Sequence, residues 1–395
     1  MATIVIVGGG TGGLSAAIAL KKGLGNEHKV IVVERECTQY FPPSLLWVMD
    51  GRRTAEAITR DIEPVTSRGI ILELNEATDL DLDRRTISTR SGQLSYDFLI
   101  FSPGIEYDLE AIPGLKACLG PGGVSDHSGA GFNLYTMEGV LSLRGALRVF
   151  QGGDVAIVAP PGPYRCPPVA YEAAMLLDSY FRKAGKRDKI RISVFTPEYK
   201  PFEFEGKQAT NGILRSLRNS GITHTGGCHL TSVDPGRRLL RFREGTAQYD
   251  LLVCIPPHSP PAIARRSRLS SDGGFVHVDP NYLRTSYENV YAIGDVAEIL
   301  LPSGVPIPKM GAVAHLQSLV VAGNIIRKIT GKGKPRSFSG TIPCIIEIGK
   351  YKAFVIFGNL YNPAPRFRVL PRLPIWTAGK VLIERNWLRE RASRG

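Results

Sequence analysis

Thr3-Ile-Val-Ile-Val7, Gly8-Gly-Gly10-Thr-Gly-Gly13 and Leu14-Ser-Ala-Ala-Ile-Ala-Leu20 follow one another without a break. A β-branched run, a glycine cluster and a series of small, apolar helix formers read as strand, turn and helix. Gly8, Gly10 and Gly13 stand at the three positions of a Gly-x-Gly-x-x-Gly turn. The first serves the tight turn, the second lets backbone approach a pyrophosphate, and the third lets helix and strand pack closely. Bare N–H groups at the start of the helix then face the phosphates. A second strand, Lys29-Val-Ile-Val-Val33, ends on Glu34, 21 residues past Gly13. A carboxylate at that point accepts hydrogen bonds from a ribose hydroxyl. The chain therefore opens on an α/β dinucleotide-binding domain.

The chain is too long for that domain alone. With 395 residues, two to three domains are expected. A composition of 43% hydrophobic and 22% charged residues is ordinary for a globular protein and excludes a disordered chain, a collagen-like fibre and a disulfide-rich miniprotein. No run approaches the ~18 apolar residues of a membrane span, and the N-terminal run is expected to be a strand, not a signal peptide. Forty-nine basic against 36 acidic residues give a net charge of +13, which suits nucleic acid, an anionic membrane surface or an acidic partner. The surplus is clearest between Arg366 and Arg394, with eight Lys or Arg against two Glu. No zinc-finger or RNA-recognition signature accompanies it, so a membrane surface is expected and nucleic acid is not. The six cysteines include no Cys-x-x-Cys, and the histidines show no ligand spacing, so no metal site is expected. In a reducing compartment a disulfide would be catalytic rather than structural.

Two later segments choose between dinucleotides. Tyr96-Asp-Phe-Leu-Ile-Phe-Ser-Pro-Gly104 is an apolar strand closing on a small-residue turn, and Asn289-Val-Tyr-Ala-Ile-Gly-Asp295 is another, ending in Gly294-Asp295. Both resemble the second and third signatures of flavoproteins with two dinucleotide domains, in which the Gly-Asp contacts the ribityl chain of FAD. A second unit of that kind begins with the strand Gly153-Asp-Val-Ala-Ile-Val158. Its turn, Ala159-Pro-Pro-Gly-Pro-Tyr-Arg-Cys-Pro-Pro168, keeps one glycine, and its prolines remove backbone donors. This argues against a reductase using NAD(P)H. Glu34 is followed by Cys37 alone, so the redox pair of glutathione-reductase-like enzymes is missing as well.

At Tyr164-Arg-Cys-Pro-Pro-Val-Ala-Tyr-Glu-Ala-Ala-Met175 the chain resembles the sulfide:quinone oxidoreductases and the flavoprotein subunit of flavocytochrome c sulfide dehydrogenase. The resemblance runs along the whole chain. It implies one redox cysteine at Cys166, an acidic residue at Glu172 and a second redox cysteine at Cys344, in Ile342-Pro-Cys344. Pro308-Lys-Met-Gly311, with Lys309, and Phe41-Pro-Pro-Ser-Leu-Leu-Trp47 resemble segments that lie near the flavin. Lys309 is expected to place positive charge at the pyrimidine end of that ring. Tyr135 stands where many members carry a third cysteine. Tyr351 and Phe354 are the candidates for a quinone pocket, with plain β core as the alternative. In the tail, Ile383, Trp387 and Leu388 offer an apolar face beside basic residues, which suits an interfacial helix; a docked helix or a subunit contact is the alternative.

The expected architecture is α/β with two Rossmann-like domains of the glutathione-reductase type. Residues 1–110 and 272–330 form the FAD domain, 111–271 the second domain with a degenerate nucleotide turn, and 331–395 a C-terminal β-containing region with an amphipathic tail. The expected activity, carried by the resemblance, is oxidation of sulfide to zero-valent sulfur through Cys166, Cys344 and non-covalent FAD. Membrane quinone is the acceptor, reached from the cytoplasmic face, and a homo-oligomer is left open. Three rivals stand beside this reading: a flavocytochrome c-type sulfide dehydrogenase, a type II NADH:quinone reductase and a non-catalytic FAD scaffold.

Overall fold

The computed structural model describes residues 1–119, 131–202, 206–270, 274–362 and 367–392. Arg366 and Arg394, the ends of the basic stretch, lie outside them. Two parallel five-stranded sheets organise the chain. In the first, the strands run in the order Val290–Ala292, Phe98–Phe101, Thr3–Val7, Lys29–Glu34 and Ile71–Leu74. Thr3–Val7 is central and almost wholly buried, because its β-branched residues meet packing partners on both faces. The edge strand Val290–Ala292 comes from far along the chain and pairs with Phe98–Phe101. It carries Gly294 and Asp295 to the C-terminal end of the sheet, where ligands of such folds bind.

The second sheet orders Gly131–Asn133, Leu251–Cys254, Gly153–Val158, Ile190–Thr196 and Ile222–Gly226, again all parallel. The helix Val169–Lys183 follows its central strand, with Glu172 in the first turn and eleven of its residues buried. The helix Thr11–Leu24 packs along Gly311–Thr330, and His315 Nδ1 lies 3.0 Å from Ser15 Oγ between them. This histidine joins two helices.

After residue 340 the chain forms an antiparallel hairpin, Thr341–Glu347 with Ala353–Asn359. The C-terminal helix Pro374–Arg391 then packs against both hairpin strands. Its first-turn Pro374 needs no hydrogen-bond donor there. No described helix is long and apolar enough to cross a membrane.

Candidate active site

The glycine turn is built by exclusion. A Cβ on Gly13 would strike the carbonyl oxygen of Gly8, while Gly8 has φ +94° and a Cβ there would strike Ser102. Gly10, by contrast, faces open space. The helix that starts at Thr11 has no acidic residue in its first turn, so its positive end is left to a ligand. Glu34 Oε2 accepts from the Gly9 amide at 2.6 Å, and Oε1 accepts from Arg35 and Glu36 amides at 2.8 and 3.1 Å. The carboxylate therefore holds the turn while keeping acceptor capacity. Beside it opens a hollow of about 480 Å³ lined by Arg35, Glu36, Asn75, Glu76 and Arg90, which the sequence did not reveal. At the other end Gly104 adopts φ +78° and its Cβ position is open. Gly294 donates its amide to Gln317 Oε1 at 2.7 Å, and Asp295 lies 3.5 Å from Arg165 Nε. An open glycine turn, a ribose acceptor and a second acid at the far end fit FAD.

Cys166 sits on the loop that replaces the second nucleotide cradle. Its backbone is left-handed, φ +52°, an arrangement unusual for a residue with a side chain. Two hydrogen bonds enforce it: the Cys166 amide donates to the Lys309 carbonyl at 2.8 Å, and the Val169 amide donates to the Cys166 carbonyl at 2.9 Å. Lys309 in turn sends its buried ammonium to the Asp295 and Ala297 carbonyls, at 2.6 and 3.4 Å, over the face of Phe275. Burial pulls this amine down to about 8. Lys309 thus ties the cysteine loop to the Gly-Asp signature. Its charge is engaged by the backbone carbonyls of Asp295 and Ala297. Burial, with the nearby Glu172 carboxyl, pushes the Cys166 thiol up to about 12. As a thiol it is a poor nucleophile at neutral pH.

Tyr135 braces the same loop. Its hydroxyl donates to the Arg165 carbonyl, and its ring lies under the Arg165 guanidinium together with Tyr107. His258 packs edge-on against both tyrosines. Cys344 lies on the strand Thr341–Glu347 and lines a small apolar cavity with Pro167 and Pro168, the residues that follow Cys166. No disulfide joins Cys166 and Cys344.

Glu172 is buried, and a charged network that sequence reasoning missed surrounds it. Lys380 Nζ bonds Glu172 Oε1 and lies 3.9 Å from Glu347 Oε2, and the Glu347 amide donates to Glu172 at 3.2 Å. Arg52 reaches Glu347 at 2.9 Å, and Trp47 Nε1 donates to the same carboxylate at 2.6 Å. Glu384 joins Ser44 and Arg53 at 2.7 and 2.9 Å. Burial raises the Glu172 carboxyl, and Glu347 adds to the rise. Burial also weighs on Glu347, yet Lys380 and Arg52 hold it low. Of these carboxyls, Glu172 is the one poised to take a proton.

Other expectations are corrected. Phe354 is 1% exposed in the hairpin core and Tyr351 is 65% exposed at its turn, so the two do not form one pocket wall. In the C-terminal helix Trp387 and Leu388 turn inward, Trp387 against Phe41, while Ile375, Leu382 and Ile383 face out. The helix is docked, and its exposed apolar stripe is a different one. Cys118 is buried in the short helix Leu115–Leu119, and it shares a core cluster with Cys228 and Cys254.

Residues 2–158 match the family model of the pyridine nucleotide-disulphide oxidoreductases, and residues 142–256 match that of the central part of the flavocytochrome c sulfide dehydrogenase flavoprotein chain. A mitochondrial sulfide:quinone oxidoreductase of Dictyostelium discoideum is 28% identical over 356 residues, covering 87% of this chain and 74% of the relative. Its counterpart from Mus musculus is 26% identical over 371 residues, covering 92% and 79%. The crystal structure of the sulfide:quinone oxidoreductase of Aquifex aeolicus superposes with a TM-score of 0.85 over 99% of this chain and 91% of that one, at 21% identity. The resemblance read from Cys166 and its neighbours is thereby borne out: this chain is an FAD-dependent oxidoreductase resembling the sulfide:quinone oxidoreductase and flavocytochrome c sulfide dehydrogenase family.

Proposed function

We propose that the protein oxidises sulfide to zero-valent sulfur through Cys166 and Cys344 and delivers the electrons to membrane quinone. The observation that carries this reading is the cysteine loop itself. It stands where a nucleotide cradle would be, and Lys309 ties it to the Gly-Asp signature. In the oxidised enzyme a Cys166–Cys344 disulfide is the electrophile. Hydrosulfide attacks the Cys166 sulfur, the new S–S bond forms, and the old one breaks with its electron pair leaving on Cys344 as thiolate. In the disulfide neither cysteine carries a thiol, so the nucleophile is the incoming hydrosulfide. The proton released from it passes to Glu172, whose carboxyl burial has raised. Non-covalently bound FAD, when present, supplies a two-electron acceptor that quinone can reoxidise. Per turnover HS⁻ loses one proton and two electrons, and quinone gains two electrons and two protons, the second proton coming from water.

The outward stripe of Ile375, Leu382 and Ile383 beside Arg385 and Arg389 suits a membrane surface, and the cytoplasmic face is the side proposed. Anaerobic mixing tests the chemistry. Sulfide is expected to bleach the flavin, NADH is not, and decylubiquinone should restore the colour where cytochrome c does not. Cys166→Ser and Cys344→Ser should each lose the sulfide bleaching while keeping bound flavin. Bleaching by NADH would refute the proposal in favour of a pyridine-nucleotide reductase. Rapid reoxidation by cytochrome c alone would move the acceptor to a haem partner.

A further inference from the structure

Two carboxylates from different elements close on one ammonium. Lys380, from the C-terminal helix, donates to Glu172 Oε1 and lies 3.9 Å from Glu347 Oε2, with its side chain only 8% exposed. The two acids are served very unequally. Glu347 accepts from Arg52 on both oxygens, at 2.9 and 3.2 Å, and from the Trp47 indole on Oε2 at 2.6 Å. Glu172 accepts from Lys380 and, at 3.2 Å, from the Glu347 amide, and both bonds converge on Oε1. Its Oε2 accepts no hydrogen bond from the described residues.

Donors on a carboxylate stabilise the anion. Glu347, with donors on both oxygens, is therefore held ionised, and Glu172 keeps one oxygen in reserve. Behind Glu347, Arg52 Nε reaches Asp50 at 2.7 Å, and one turn along the C-terminal helix Glu384 is held by Arg53 and Ser44. Cys166 faces the pair from the loop before the helix Val169–Lys183: beyond the effect of burial, the Glu172 carboxyl raises its thiol and Lys380 lowers it. Burial raises Glu172 itself; against that background Lys380 favours its anion and the Glu347 charge opposes it.

We infer that Lys380 and Glu347 are positioning residues acting against each other on Glu172, and that Glu172 Oε2 is the atom that receives the hydrosulfide proton. The inference rests on the proposed sulfide reaction and adds the residues that set its proton transfer. As hydrosulfide bonds to the Cys166 sulfur and Cys344 leaves with the electron pair, the S–H proton passes to Oε2. The persulfide on Cys166 becomes an anion, and Lys380, relieved of the Glu172 charge, is left to balance it. Lys380 and Glu347 themselves neither gain nor lose a proton.

Flavin bleaching by sulfide in the holoenzyme tests this, with the rate expressed per hydrosulfide and followed against pH. The rate should rise with pH as Glu172 ionises, and Glu172→Gln should lose that limb. Lys380→Met removes the favouring cation, so the midpoint should move up by about 1–3 pH units. Glu347→Gln removes the opposing anion, so the midpoint should move down. Lys380→Arg keeps the charge and should stay near wild type. A merely structural role would not give opposite shifts, and Glu347→Gln carries the test where Lys380→Met is too unstable to purify. Unmoved midpoints, or shifts in the same direction, would overturn the inference and leave the sulfide reaction standing. A limb that survives Glu172→Gln would also overturn it, because the proton would then go to another group. A wild-type enzyme that sulfide does not bleach would sink the proposed function itself, and the inference with it.

Discussion

His258 packs its imidazole between Tyr107 and Tyr135, holds one nitrogen 2.8 Å from the Pro256 carbonyl, and leaves Nε2 buried without a partner. Burial drives it down to about 3 from an ordinary value near 6.5, and the Arg165 and Lys309 cations act in the same direction. Below about pH 6.5 the unfolded chain takes up a proton that the folded chain refuses until about pH 3. The unfolded state therefore gains as pH falls through that window, by up to roughly 1.4 kcal/mol per unit. His258→Gln should flatten this part of the stability profile. Urea midpoints at pH 6.5 and 4.5 measure it, and an equal loss in both proteins would refute the assignment. The same enclosure governs Cys166, a left-handed residue with a reluctant thiol two positions from Tyr164 in the chain. What the structure gives it is a fixed position rather than acidity.

Among the elements, the C-terminal helix does what its composition does not advertise. Lys380 and Glu384 point into the protein and meet Glu172, Glu347, Ser44 and Arg53. Removing one partner from such a cluster leaves buried charge uncompensated. Lys380→Met should cost roughly 3–5 kcal/mol in urea unfolding at pH 7, and adding Glu172→Gln should return part of that loss. A loss within about 0.5 kcal/mol, the range of an ordinary surface substitution, would mean that the network is looser than its geometry. The glycine turn, Glu34 and the Gly-Asp strand were legible in the sequence because each is a local pattern on one strand and its following turn. The Lys380–Glu172 pair was not, because the two lie 208 residues apart and a lysine in a basic tail reads as a solvated one. Phe354 stayed open for the opposite reason: in a short alternating strand an aromatic suits core and pocket equally, and the structure buries it in the hairpin.

At the scale of the whole molecule, two parallel sheets were expected and are found, since each begins with a β-branched run feeding a helix. What the pattern could not supply was the face the tail turns outward. Helical spacing marked Ile383, Trp387 and Leu388 as one stripe, but docking onto Phe41 buried the last two and left Ile375, Leu382 and Ile383 outside. Those three, with Arg385 and Arg389, are the surface on which membrane binding is expected to depend. Leu382→Glu with Ile383→Glu should cut sedimentation with anionic vesicles at least several-fold and leave sulfide bleaching in detergent unchanged. Wild-type sedimentation by the double variant would move the membrane contact elsewhere.

The Trp387–Thr11 hydrogen bond spans 376 residues and joins nearly the first element made to the last. During synthesis both sheets emerge from the ribosome while the closing helix is still in the exit tunnel. The nascent chain can fold its sheets before the contact between Trp387 and Thr11 can form. The start of the helix Thr11–Leu24 therefore waits, on the ribosome, for a partner that is made much later.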